Sequence, residues 1–197
     1  MYSSRKKLRI VFNAPVTLVF VTLCLIVRVI DSRTNLFASR AFCSLYFTSF
    51  RDPLLYLRCF TYVLGHGNWT HLFGNMLLIL LLGPMVEEHY GRWNTVLVIL
   101  VTAAVTAVLG LVFAPSAVIL GARGIVSAFL LIASLTLRED RTIPVTFILL
   151  ALLYFGTEIY DAVTVKDNVF QLGHVGGGVI GAALGFLLSR KKKKDHF

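Results

Sequence analysis

Charge is scarce in this chain: Asp, Glu, Lys and Arg together make up 15% of its 197 residues, where an ordinary soluble domain carries about 25%. Hydrophobic residues reach 57%, a balance that excludes a soluble globular domain and points to a membrane protein. Cysteine is rare as well. Cys24, Cys43 and Cys59 follow no metal-ligand spacing, and an odd number excludes complete pairing within one chain. Cys43 and Cys59 are the pair that a bridge on the outer side would use. A cleavable signal peptide is also missing, since the first apolar run is longer than a signal core and ends at Val27-Arg28 without small residues. No internal repeat or low-complexity segment is present. The formal net charge is +9, yet the basic residues gather beside apolar runs and form no aromatic-interleaved patch that would stack bases. Nucleic acid is therefore excluded as a partner, and the lipid bilayer is the expected environment.

What the chain does have is a series of uncharged runs long enough to cross roughly 30 Å of hydrocarbon. They predict six spans, over about 10–30, 70–86, 93–113, 117–137, 142–160 and 169–189. Each must be helical, because lipid offers the backbone no hydrogen-bond partner. The uncharged stretch from Trp93 to Ala122 is divided in two by "APS", since Pro115 cannot continue a helix without losing a hydrogen bond.

Orientation follows from Lys and Arg. With both termini cytoplasmic, the inner side carries Arg5, Lys6, Lys7, Arg9, Arg92, Arg138, Arg141, Arg190 and Lys191 to Lys194, and the outer side only Arg33, Arg40, Arg51, Arg58 and Lys166. The chain then divides into a basic N-terminus (1–9), a helical domain (10–189) with an external loop (31–69), and a basic tail (190–197). The loop mixes aromatics with arginines in "FCSLYFTSFRDPLLYLRCF". It is expected to lie in the interface with its rings at headgroup level.

Polar residues inside the spans carry the chemistry. His71 and Asn75, four apart, share one face near the outer end of the second span, with His66 just ahead of it. Unsatisfied polar groups are costly in hydrocarbon, so the cluster implies a polar cavity open to the outside. In the last span Gly173, Gly177, Gly181 and Gly185 form a ridge on which another helix can dock closely. His174 beside that ridge is a candidate general base. The fourth span begins "GARG"; its small Gly121 and Gly124 make it the natural partner of the ridge, which brings residue 123 to His174. A base at such a contact calls for a nucleophile. The position holds Arg123, and an intramembrane charge is itself a functional-site hypothesis.

These residues resemble the rhomboid intramembrane serine proteases. His66, His71 and Asn75 stand at the spacing of the family's second-helix motif, and Gly121, Ala122, Arg123 and Gly124 align with its Gly-x-Ser-Gly. His174 aligns with the histidine of its glycine-rich sixth helix. Leu57-Arg58 matches the family's "WR" pair with the tryptophan replaced, and Gly83, Glu87 and Gly91 match a Gly-x-x-x-Glu-x-x-x-Gly run. The resemblance covers essentially the whole chain. It implies an all-α, six-transmembrane-helix fold, no metal or organic cofactor, and peptide-bond cleavage in or beside a substrate's transmembrane segment. It assigns His174 as general base, His71 and Asn75 as oxyanion donors, and His66 and Glu87 as structural groups.

The departure falls on the reacting atom. Arginine stays protonated and offers only donors, so Arg123 cannot act as the nucleophile. Three readings follow. The chain is a natural pseudoprotease that binds transmembrane helices without cutting them. It is a variant at one position, since serine and arginine codons can differ by one base. Or the nucleophile has moved one turn along, to Ser127. In the first two, Arg123 plugs the site. The leading expectation is a rhomboid-family serine endopeptidase scaffold, inactive as written, whose partners are transmembrane proteins, in a bacterial inner membrane. A helix-binding chaperone or sorting factor is the alternative. A transporter or channel is weaker, because the polar residues cluster at one depth.

Overall fold

The computed structural model of the protein describes residues 12–136, 145–164 and 171–194. Of the basic residues, Arg5, Lys6, Lys7, Arg9, Arg138, Arg141 and Lys166 lie outside this set. The described residues are all-α in class: α1 Pro15–Arg33, α2 Phe37–Ala41, α3 Pro53–Thr61, a 3₁₀ turn Tyr62–Leu64, α4 Trp69–Tyr90, α5 Arg92–Phe113, α6 Arg123–Thr136, α7 Val145–Thr164 and α8 Gln171–Lys194. Among them α1, α4 and α5, at 19, 22 and 22 residues, are long and apolar enough to cross a membrane. At 1.5 Å per residue, a 22-residue helix reaches about 33 Å.

The start of α1 is secured by a distant side chain. Pro15 opens the helix, and the free N–H groups behind it are taken by Glu87 of α4. Glu87 Oε1 accepts from Val16 N, and Oε2 accepts from both Thr17 N and Thr17 Oγ1, all at 3.0 Å. One turn earlier on α4, Gly83 makes room for this contact, because a Cβ there would lie 2.6 Å from Thr17 Cγ2. Gly91, at φ 79°, ends α4 and begins α5 with a left-handed residue that favours glycine. Gly83, Glu87 and Gly91 thus tie α1 to the α4–α5 corner.

The centre of the molecule is α6. Ile125, Val126, Ala128, Phe129, Leu130, Ile132 and Ala133 are all buried, as a helix apolar on every side must be. It packs against α4, α5, α7 and α8.

The fourth span is expected from residue 117, but α6 begins only at Arg123. The residues ahead of it are held in an extended course. Ile119 and Leu45 exchange both backbone hydrogen bonds at 2.8 Å, and Gly121 N donates to Tyr62 O at 3.0 Å. The groups that would start a helix are satisfied by the long loop instead. That loop has structure of its own in α2, α3 and the 3₁₀ turn. Asp52 caps α3 by accepting from Leu54 N at 2.9 Å, and Thr48 Oγ1 donates to its other oxygen at 2.8 Å. The Thr48 hydroxyl first, then the Leu54 amide, and least the Arg58 guanidinium hold its carboxyl below the usual carboxylate range. Phe37, Phe42, Phe47, Phe50 and Tyr56 are exposed along the loop. Cys24, Cys43 and Cys59 are free thiols, and burial pushes Cys43 up to about 11.

Candidate active site

The head of α4 is built by its own cap. Asn68 Oδ1 accepts from His71 N at 2.8 Å, which sets the first turn and carries His71 and Asn75 on successive turns of one face. His66, just before the helix, is fully buried. Its Nδ1 lies 3.2 Å from Leu64 O and its Nε2 3.2 Å from Asn75 Nδ2. A carbonyl only accepts, so Nδ1 carries the proton and Nε2 accepts from the Asn75 amide. Burial favours this neutral ring: it pushes His66 down to about 4, against a raising contribution from the Leu64 carbonyl and with a smaller lowering one from Arg28. The His66 ring meets the His71 ring edge to face at 5.0 Å between centroids.

Gly121 brings the "GARG" segment to this cluster. A Cβ on Gly121 would stand 2.7 Å from His71 Cε1, 2.8 Å from His71 Nε2 and 3.7 Å from Asn75 Nδ2. Its φ of 108° is also a conformation that side-chain-bearing residues rarely adopt. Glycine is required here twice, by the backbone and by the imidazole lying over it. Two residues later Arg123 opens α6, half-buried. Its carbonyl accepts from Ser127 Oγ and from Tyr154 Oη of α7, both at 3.0 Å.

Ser127 is fully buried, and its hydroxyl is committed to that carbonyl. A Cβ on Gly178 of α8 would lie 2.3 Å from Ser127 Cβ. The serine therefore faces a close helix contact rather than an open space. The glycine ridge also differs from its expected use, because it meets two helices rather than α6 alone. Gly177 abuts Thr106 of α5, Gly181 abuts Thr102 of α5 and Ala128 of α6, and Gly185 abuts Ile132 of α6. The reason is geometric: successive ridge positions four apart drift by about 40° around the helix. Gly178, off the ridge, makes the tightest contact with α6.

His174 belongs to the first turns of α8, but its side chain lies outside the described ones. By helical register it stands one turn before Gly178, as Arg123 stands one turn before Ser127. The contacts of Gly178, Gly181 and Gly185 with Ser127, Ala128 and Ile132 advance together, so α6 and α8 run parallel.

Sequence reasoning passed over one residue beside this cluster. Of the 19 basic residues, Arg28 and Arg123 alone fall within the expected spans, and Arg28 was read only as the end of the first run. It is buried on the stripe Cys24, Arg28, Asp31 of α1. Its Nη1 donates to His66 O at 3.4 Å and Gly67 O at 3.3 Å, and its guanidinium sits 5.4 Å from the Trp69 ring centroid. The signal was the helical spacing of 24, 28 and 31, which puts the charge on the inner face. Tyr62, whose hydroxyl donates to Ala103 O at 3.2 Å, and Tyr154 were missed too, since nothing local marks a tyrosine that bonds a backbone carbonyl far along the chain.

Two comparisons bear on this arrangement. The Rhomboid domain family model matches residues 54–191, more than half of the chain. The RHOMBOID-like protein 4 of Arabidopsis thaliana is 28% identical over 130 residues, covering 62% of this chain and 32% of that protein. The chain thus spans about a third of the length of that relative.

Proposed function

The chain belongs to the rhomboid family, and from that premise we propose that it is an intramembrane serine endopeptidase scaffold whose nucleophile position is occupied by Arg123. On this reading the protein crosses the membrane six times with both termini cytoplasmic, its long loop lies in the outer interface, and its site opens outward. His174 fills the general-base position across from residue 123, and His71 and Asn75 supply oxyanion donors. The guanidinium of Arg123 takes the space where a substrate carbonyl would sit.

The observation that carries this reading is the approach of His71 and Asn75 to Gly121, two residues ahead of Arg123. Oxyanion stabilisation needs preorganised donors beside the attacking atom, and a glycine backbone is what lets an imidazole come that near. The parallel register of α6 and α8 adds support, because stepping one turn back from Ser127 and Gly178 pairs positions 123 and 174.

Ser127 offers no substitute nucleophile, since its side chain is buried, its hydroxyl is bonded to Arg123 O and its Cβ is packed against Gly178. That favours a second reading of the unaltered chain as a pseudoprotease that binds transmembrane segments as a chaperone or sorting factor. The deciding experiment is a cleavage assay on a panel of single-span membrane proteins. We expect no cutting by the chain as it stands, cutting by Arg123→Ser, and none by Arg123→Ser with His174→Ala. Cleavage by the unaltered chain that disappears with Ser127→Ala would sink the assignment. A client that co-purifies and loses stability without this chain, yet is never cut, would favour the binding role.

A further inference from the structure

Arg28 presents an energetic puzzle. It is a buried cation in a membrane helix, a placement that is costly unless it is paired or needed. No carboxylate salt bridge to Arg28 appears among the described residues. The nearby Asp31 accepts instead from Ser39 N at 3.0 Å and Ser39 Oγ at 2.5 Å. What holds the guanidinium is two carbonyls, those of His66 and Gly67, and the face of Trp69. All three lie in one short stretch, the entry to α4.

That entry determines the candidate site. His66 orients Asn75 through Nε2, Asn68 caps the turn that carries His71, and the His66 ring backs the His71 ring. We propose that Arg28 is a positioning residue: its guanidinium, seated between the His66 and Gly67 carbonyls and the Trp69 ring, fixes segment 65–68 so that His66 can aim Asn75 and His71 at Gly121. Arg28 lies ahead of residues 54–191, the part that matches the family. Its charge also opposes protonation of His66, and a protonated ring would turn Nε2 into a donor facing the Asn75 amide. The consequence for catalysis rests on the reading of His71 and Asn75 as oxyanion donors. The clamp itself does not.

The test uses the full chain in detergent micelles, with ¹⁵N-labelled histidine and asparagine, comparing the parent with Arg28→Gln, Arg28→Lys and Asp31→Asn. In the parent, imidazole spectra should show His66 as a single neutral Nδ1–H tautomer and one Asn75 side-chain amide. Arg28→Gln should split or shift the His66, His71 and Asn75 signals. Arg28→Lys, which keeps the charge but loses the planar fork, should restore them only in part. Asp31→Asn, which loosens the same loop elsewhere, should leave the three signals in place. If Arg28→Gln fails to fold, Trp69→Leu removes the stacking face and should move the same three signals.

In an Arg123→Ser background, Arg28→Gln should lower kcat on the order of tenfold or more with little change in KM. Unchanged His66, His71 and Asn75 signals in Arg28→Gln would overturn the clamp, as would identical shifts in Asp31→Asn. Absence of cleavage by Arg123→Ser would count against the functional reading, and the imidazole spectra would still decide the role of Arg28.

Discussion

At the C-terminal end of α4 both oxygens of the Glu87 carboxylate accept from the start of α1, one of them twice. At the N-terminal end, His71 and Asn75 are held over a side-chain-free residue, Gly121, by a capping asparagine and a buried neutral histidine. Both ends bury polar groups in an otherwise apolar helix. At one end both oxygens are engaged by two backbone N–H groups and the Thr17 hydroxyl, which makes a lock between helices. At the other, His71 and Asn75 lie over the bare backbone of Gly121, the approach on which the proposed oxyanion role rests. The difference lies in what each polar group faces, the start of another helix at one end and a side-chain-free backbone at the other.

Breaking the lock should have the largest effect. Glu87→Ala removes all three hydrogen bonds and strands the first N–H groups of α1 in an apolar setting, for a loss on the order of 4 kcal/mol. Unfolding in mixed micelles would measure it, and a loss below about 1 kcal/mol would mean that the two ends do not differ as argued. The donor end should respond to acid instead. His66 is held near 4 in the folded chain, against about 6.5 when unfolded. The unfolded state therefore takes up the proton first as pH falls. Stability contributed by the neutral ring is fully present above about pH 6.5 and is lost on going down towards pH 4, by up to about 3 kcal/mol. His66→Gln should flatten this part of the stability profile.

A smaller change sharpens the same contrast. Gly121→Ala imposes both a strained φ and a methyl group in the path of the His71 ring, at a cost of about 1–3 kcal/mol. In an Arg123→Ser background it should reduce cleavage more than it reduces stability, because the methyl displaces a donor. The smallest effect is expected of Ser127→Ala, which removes one hydroxyl bonded to its own helix and should change stability by less than about 1 kcal/mol. It should leave any activity gained by Arg123→Ser intact, which a cleavage assay on the double variant checks.

How far the site was legible varies with range along the chain. His71 and Asn75 share a face by spacing alone, and the approximate positions of α1, α4 and α5 follow from uncharged runs bounded by Gly91 and Pro115. The start of α6 was misplaced by six residues, from 117 to 123. Its true limit depends on Leu45 and Tyr62, which lie more than fifty residues earlier and capture the backbone groups of Ile119 and Gly121. The role of Gly178 was hidden for a similar reason. Glycines at intervals of four suggest a single docking face, and the drift of that face around α8 becomes visible only when α5 and α6 lie on either side of it.

The sequence by itself determined that this is a helical membrane protein, because a long apolar run has few other ways to satisfy its backbone in lipid. It also determined the residue types in the second-helix cluster and the arginine at 123. Tertiary structure alone decided that Gly121 passes under His71, that Arg28 reaches the entry to α4, and that Ser127 is closed off. Those outcomes depend on contacts between segments far apart in the chain, and local periodicity carries no record of which distant carbonyl or ring a side chain will meet.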